Sequence, residues 1–227
     1  MTRGRLGILG GTFDPVHYGH LDCADAARDA LALDEILLIP AYDQPLRTNE
    51  THADASQRLA MVSLAVADLE GYRVSDMELR RKGRSYTADT LRALHAEGWN
   101  ALQLFFILGS DAFAGIAAWR GYPSFLDLAH FVVIARPGTT IDSAAARVPE
   151  LRARLCEAAR GSAVSVDSPR IFVVSAHTRD VSSTMIRERL AASRSIDDLV
   201  PAAVARHITK HHLYGAVGRL HGQDERT

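Results

Sequence analysis

The chain has 227 residues, 47% of them apolar and 23% charged, an ordinary globular composition that excludes a disordered chain or a fibre. Its 26 basic and 27 acidic residues give a formal net charge of -1, so the broad basic face that duplex nucleic acid requires is absent and no nucleic-acid partner is expected. No run reaches the ~18 apolar residues of a membrane span, and two cysteines, Cys23 and Cys156, are too few for a disulfide scaffold, so the reading is a cytoplasmic protein without membrane contact.

Short apolar runs rich in β-branched and aromatic residues stand at 5–9 (RLGIL), 35–40 (EILLIP), 102–108 (LQLFFIL), 131–135 (FVVIA) and 171–176 (IFVVSA), and their length and continuity predict buried strands. Between and after them, stretches with helical spacing predict helices over 19–32, 54–69, 87–97, 111–119, 144–160, 183–193 and 201–212. Strand and helix alternating at these intervals imply right-handed crossovers and an α/β fold with a doubly wound, mostly parallel sheet in three layers. One domain is expected over 1–216, C-terminal helices included, and 217–227 lose their periodicity and read as a flexible tail. Several apolar helix positions could equally serve a core or an interface, so a homo-oligomer is possible.

Ligands of such sheets sit beyond the carboxyl ends of the strands, which directs attention to 10–20, 41–47, 109–119, 136–138 and 177–187. The polar segment 41–53 reads as a loop over that edge. The first strand runs into Gly10-Gly11-Thr12-Phe13-Asp14-Pro15, then His17-Tyr18-Gly19-His20 and a helix. Adjacent glycines present bare N–H groups in a tight turn, and the helix start offers its positive end, which together make a phosphate cradle. The three-glycine dinucleotide fingerprint is absent, and neither Lys82 nor Lys210 precedes Ser or Thr as a phosphate-loop lysine would. Three residues apart, His17 and His20 are suited to donate to phosphate oxygens; a capping role for one of them stays open, and a zinc pair without a third ligand is a weak alternative. Downstream, Ser182-Ser183-Thr184 before an apolar periodic run is N-cap material, and with Arg187 one turn in it is also a second anion site.

Gly11-Thr12-Phe13-Asp14-Pro15 with His17-Tyr18-Gly19-His20 resembles the nucleotide-binding motif of the nucleotidyltransferase superfamily with the (T/H)xGH signature, and Val181-Ser182-Ser183-Thr184-Met185-Ile186-Arg187 resembles its second motif. The segments Asp76–Gly83, Ser85-Tyr86-Thr87, Asp89-Thr90-Leu91, Gly109-Ser110-Asp111, Trp119 and Arg136-Pro137-Gly138 resemble those of bacterial nicotinate-nucleotide adenylyltransferases. The resemblance spans about residues 5–215 and implies a Rossmann-like nucleotidyltransferase fold and transfer of AMP from ATP to nicotinate mononucleotide. It implies His17, His20 and Arg187 as catalytic groups. ATP would be held by these three with Gly10, Gly11, Thr12, Phe13, Gly109, Asp111, Ser183 and Thr184. Nicotinate mononucleotide would be held by Arg47, Tyr86, Thr87, Trp119 and Arg136, the carboxylate on the amides of Tyr86 and Thr87 and the ring against Trp119. Mg²⁺ would arrive with ATP, and no protein metal ligand is expected. Where the family commonly carries Pro-His-Lys or Pro-His-Arg, this chain reads Pro45-Leu46-Arg47 and lacks the His. Nicotinamide mononucleotide or phosphopantetheine as acceptor, and a non-catalytic adenine-nucleotide sensor, are the alternatives.

Overall fold

The computed structural model describes residues 4–45, 51–135, 141–146, 148–158 and 166–216. Seven strands, β1 (Leu6–Gly11), β2 (Glu35–Pro40), β3 (Tyr72–Val74), β4 (Leu104–Gly109), β5 (His130–Ala135), β6 (Leu155–Glu157) and β7 (Ile171–Ser175), form one sheet in the order β3-β2-β1-β4-β5-β7-β6. Every pairing is parallel, from Leu6↔Glu35 between β1 and β2 to Leu155↔Ile171 between β6 and β7.

Side chains alternate across the sheet, and both faces are covered, which is why the strands read as continuous apolar runs. In β4, Phe105 and Ile107 enter one core while Leu104, Phe106 and Leu108 enter the other. The first core is covered by α1 (Tyr18–Leu31), α2 (Ala55–Val66), α7 (Ser183–Ala191) and α8 (Ala202–Lys210); the second lies under α4 (Thr87–Ala96), α5 (Ser110–Ala114) and α6 (Ile141–Ala145). Burying each large side chain there, such as Phe105 or Phe131, contributes roughly 1.5–3 kcal/mol. The C-terminal helix belongs to the same core, since Val204 and Ile208 are fully buried in it.

The chain departs from the expected elements where local signals are short. Strands β3 and β6 have three residues each and sit at the two sheet edges, too short and too exposed to show a period. The five-residue helix α3 (Met77–Arg81) was likewise below the length at which periodicity is legible. The helix expected over 111–119 ends at Ala114 before Gly115 and continues as a 3-10 turn, Ile116–Ala118. The helix expected over 144–160 does not form. In its place stand α6, a 3-10 stretch Pro149–Arg154 and β6, because Pro149 cannot continue an α-helical ladder and Leu155 pairs with Ile171 at the sheet edge. The stretch 217–227 lies outside the described residues.

Strand β1 pairs with β2 on one side and β4 on the other, so the crossovers leave it in opposite directions and a crevice opens beyond its carboxyl end. Gly10, Gly11 and Gly109 stand at that crevice.

Candidate active site

Beyond β1 the backbone turns through Phe13, whose φ of 51° is left-handed although it is not glycine. The Phe13 ring is buried beneath Gly11, where a Cβ would stand 3.0 Å from it, so any larger residue would have to push the ring aside by a few tenths of an ångström. The chain then enters α1 with His17 as its N-cap in extended conformation, which places His17 before the helix rather than within it. The His17 and His20 rings nonetheless stack at 3.7 Å, and His20 meets Phe13 edge-on at 4.9 Å.

The His17 backbone N–H donates to His20 Nδ1 at 3.3 Å, so a neutral His20 carries its proton on Nε2. Burial pushes His17 down to about 4, with Asp22 pulling weakly the other way, and burial together with the neighbouring His17 drives His20 well below the ordinary imidazole value. Both rings are therefore neutral N–H donors at pH 7. The adjacent Cys23 thiol is pushed up to about 11 by burial and by Asp22, which leaves it protonated and unsuited to nucleophilic chemistry.

The second motif is fastened to the first. Ser182 caps α7, its hydroxyl accepting from the Met185 amide at 3.1 Å, while Ser183 Oγ donates to the Pro15 carbonyl at 2.9 Å. Arg187 donates to the Asp14 carbonyl at 2.7 Å and to Thr184 Oγ1 at 3.2 Å. Beneath this junction the Asp14 carboxylate, buried to 1% exposure, accepts from the amides of His52 and Ala53 and from Tyr214 at 2.9–3.0 Å. Two helix starts and a guanidinium thus converge on one place, with their positive ends toward it.

Three adjoining cavities follow from this arrangement. One of about 430 Å³ is lined by Gly11, Thr12, Phe13, His20, Ser183, Thr184 and Arg187. A second, of about 500 Å³, lies over β1 and β4 and takes in Gly10, Gly11, His17, His20, Gly109, Asp111, Thr87 and Trp119. Asp111 is exposed in the first turn of α5, whose N-cap is Gly109 rather than Asp111. A third, of about 340 Å³, is lined by Tyr86, Thr87, Trp119 and their neighbours. Trp119 borders both of these last two, its ring half-buried and stacked on Phe125 at 5.9 Å, with Phe106 edge-on at 6.1 Å. Tyr86 is the N-cap of α4 and makes no side-chain cap; the Asp89 and Thr90 amides bond to its carbonyl, leaving those of Thr87 and Ala88 without a backbone partner among the described residues.

The structure therefore brings together Gly10, Gly11, Thr12, Phe13, His17, His20, Gly109, Asp111, Ser183, Thr184 and Arg187 on one side and Tyr86, Thr87 and Trp119 on the other. Arg47 and Arg136 lie outside the described residues. Several residues escaped sequence reasoning. Gln44 lines all three cavities and accepts from Thr12 Oγ1 at 2.7 Å. Arg58, 1% exposed, donates to the Thr12 and Ala41 carbonyls at 2.7 Å and so holds the cradle from below. Glu78 lines the cavity over β1 and β4 and accepts from Thr90. Arg179 grips Asp22 at 2.7–3.3 Å and stacks over Tyr18 at 3.8 Å; against the cost of its burial, Asp22 is held below its ordinary value by Arg179. Gln44 and Arg179 fall in segments that the strand-end rule singles out, whereas Arg58 reads in sequence as an ordinary solvated helix position.

The sequence matches the Cytidylyltransferase-like family over residues 8–189. It is 43% identical over 216 residues to a Roseiflexus sp. (strain RS-1) protein named "Probable nicotinate-nucleotide adenylyltransferase", covering 94% of this chain and 100% of that one. A Geobacter sp. (strain M21) protein of the same name is 41% identical over 92% of this chain and 98% of its own. Among solved structures, Plasmodium falciparum nicotinic acid mononucleotide adenylyltransferase complexed with NaAD superposes with a TM-score of 0.70 at 18% identity, over 94% of this chain and 98% of that one, a likeness of fold. Family match, relatives and site geometry agree: the chain belongs to the cytidylyltransferase-like family, among its nicotinate-nucleotide adenylyltransferases.

Proposed function

We infer that the protein transfers AMP from ATP to nicotinate mononucleotide, giving nicotinate adenine dinucleotide (deamido-NAD) and pyrophosphate in NAD biosynthesis. The observation that carries this reading is the continuity of one crevice. Its floor is the Gly10-Gly11 turn with His17, His20 and Arg187, and it extends past Gly109 and Asp111 to the start of α4 and the Trp119 ring. The relatives at 41–43% identity that bear the adenylyltransferase name support it over the same residues.

The attacking group is the phosphate of the mononucleotide, already mostly dianionic at neutral pH because its second pKa is ~6, so a general base would add little. It attacks the α-phosphorus of ATP in line and pyrophosphate departs. The chain's contribution is position and charge. His20 Nε2–H donates to a transferring or leaving oxygen, and Arg187, fixed through the Asp14 carbonyl, neutralises the triphosphate. The Ser183 and Thr184 amides at the start of α7, which have no backbone partner among the described residues, add donors that need no reorganisation. In this reading Asp111 accepts from ribose hydroxyls, the Thr87 amide meets the nicotinate carboxylate and Trp119 walls the ring, which is supported by their lining one cavity. A divalent cation, Mg²⁺ in this proposal, enters as part of the ATP substrate.

The same proposal includes a single domain over 1–216 with a flexible tail at 217–227, roles for Arg47 and Arg136 in the acceptor site, a possible homo-oligomer, and a cytoplasmic location without nucleic-acid or membrane partners. No helix among the described residues is long and apolar enough to cross a membrane.

Pyrophosphate release from Mg-ATP, run in parallel with nicotinate mononucleotide, nicotinamide mononucleotide and phosphopantetheine, tests the reading. Strong preference for the first is expected. Preference for another acceptor overturns the substrate, and release with none of them overturns the enzyme.

A further inference from the structure

The 340 Å³ cavity at the start of α4 carries a charge pattern that the residues implied by family resemblance do not account for. Among the described residues its lining includes Tyr86, Thr87 and Trp119 with two guanidinium groups, Arg84 and Arg120, and no carboxylate. Arg84 faces Asp43 at 4.0 Å, a loose pair exposed on both sides that returns most of its charge to solvent.

Arg120 differs. Its guanidinium lies over the Tyr86 ring, 4.5 Å from the centroid, which holds it at the mouth of the cavity by a cation–π contact. Its ion-pair partner is Asp89 at 3.6 Å, but Asp89 is already held more closely by Arg92 at 3.0 Å through its other oxygen. Two guanidinium groups thus share one carboxylate. The cluster keeps a net charge of +1, and the more weakly paired member faces the cavity. Asp89 would by itself oppose an anion at the first turn of α4, and Arg120 offsets that opposition.

Resting on the adenylyltransferase reading, we propose that Arg120 is a specificity-determining residue of this chain: its charge favours a mononucleotide whose pyridine ring bears a carboxylate over one bearing a neutral carboxamide. The amides at the start of α4 can bond either substituent's oxygen, so they discriminate weakly. A fixed cation discriminates by charge. With its side chain 64% exposed, Arg120 acts through solvent-screened Coulomb attraction, and about fivefold in the ratio of kcat/KM values is the expected size.

The test compares kcat/KM for nicotinate and nicotinamide mononucleotides in the wild type and in the R120A, R120K and R92A variants, at low and high salt. We expect the nicotinate-to-nicotinamide ratio to fall about fivefold in R120A, to be largely kept in R120K, and to fall by less than in R120A in the R92A variant, which frees Asp89 to pair with Arg120 but leaves the guanidinium at the cavity. Raising salt should lower the wild-type ratio toward that of R120A. An unchanged ratio in R120A, with a wild type that prefers nicotinate, overturns the inference alone. Equal falls in R120A and R92A assign the effect to the state of Asp89 and also overturn it. A wild type that turns over neither acceptor overturns the functional reading and this inference with it.

Discussion

Replacing His20 tests the centre of the mechanism. On the stability side little should be lost: the bond from the His17 amide to Nδ1 is long at 3.3 Å, and the ring's other contacts are the stack on His17 and the edge of Phe13. Ala at this position is expected to cost about 1–2 kcal/mol in folding, with α1 intact. On the chemical side the variant removes a preorganised donor aimed at developing charge, worth ~10²–10³ in kcat by analogy with other such donors. The tautomer sharpens the expectation. Because Nδ1 is occupied by the His17 amide, the donor is Nε2–H, and Gln reaches the Nε2 position whereas Asn reaches that of Nδ1. Gln should therefore recover part of the lost kcat and Asn should not. The assay is steady-state pyrophosphate release with saturating Mg-ATP, alongside denaturant unfolding of each variant. Turnover of the Ala variant within about threefold of wild type, or Asn recovering more than Gln, would refute the assigned role.

Two further outcomes follow from the same geometry. Gly109 has an ordinary φ of -77°, and a Cβ there would meet nothing within 4 Å, so Gly109→Ala should change stability by less than about 0.5 kcal/mol while its methyl projects into the crevice and raises KM for ATP; an unchanged KM would place the nucleotide elsewhere. His17 and His130 are both buried and pushed down to about 4, chiefly by desolvation, so the unfolded chain takes up protons that the folded one refuses. Their contribution is complete above about pH 6.5 and is lost as the pH falls toward about 4, costing about 2 kcal/mol per histidine between pH 7 and pH 5. Denaturant titrations at the two pH values measure it, and His130→Asn, which keeps an acceptor for the Arg170 amide, should reduce the loss between them by about 2 kcal/mol.

The sequence by itself determined the layered architecture and the place of the chemistry. Five apolar runs too short for buried helices and alternating with helical stretches leave a parallel sheet covered on both faces as the solution, and the strand-end rule then points to Gly10-Gly11, His17, His20, Gly109 and Ser183–Arg187. These signals are local in the chain, carried by periodicity and by adjacent residues, which is why they are legible without a structure. The edge strands β3 and β6 were not, since three residues are too few to carry a period, and the break at Pro149 could not be weighed against the helical spacing around it. Only the tertiary structure decided how the site is held. Arg187 meets the Asp14 carbonyl across 173 positions, Tyr214 meets the Asp14 carboxylate across 200, and Arg58 is drawn from an apparently solvated helix face to two carbonyls beneath the cradle. Such contacts depend on where distant segments are brought together, and a buried cation or carboxylate declares its partner only once the fold has removed the water around it.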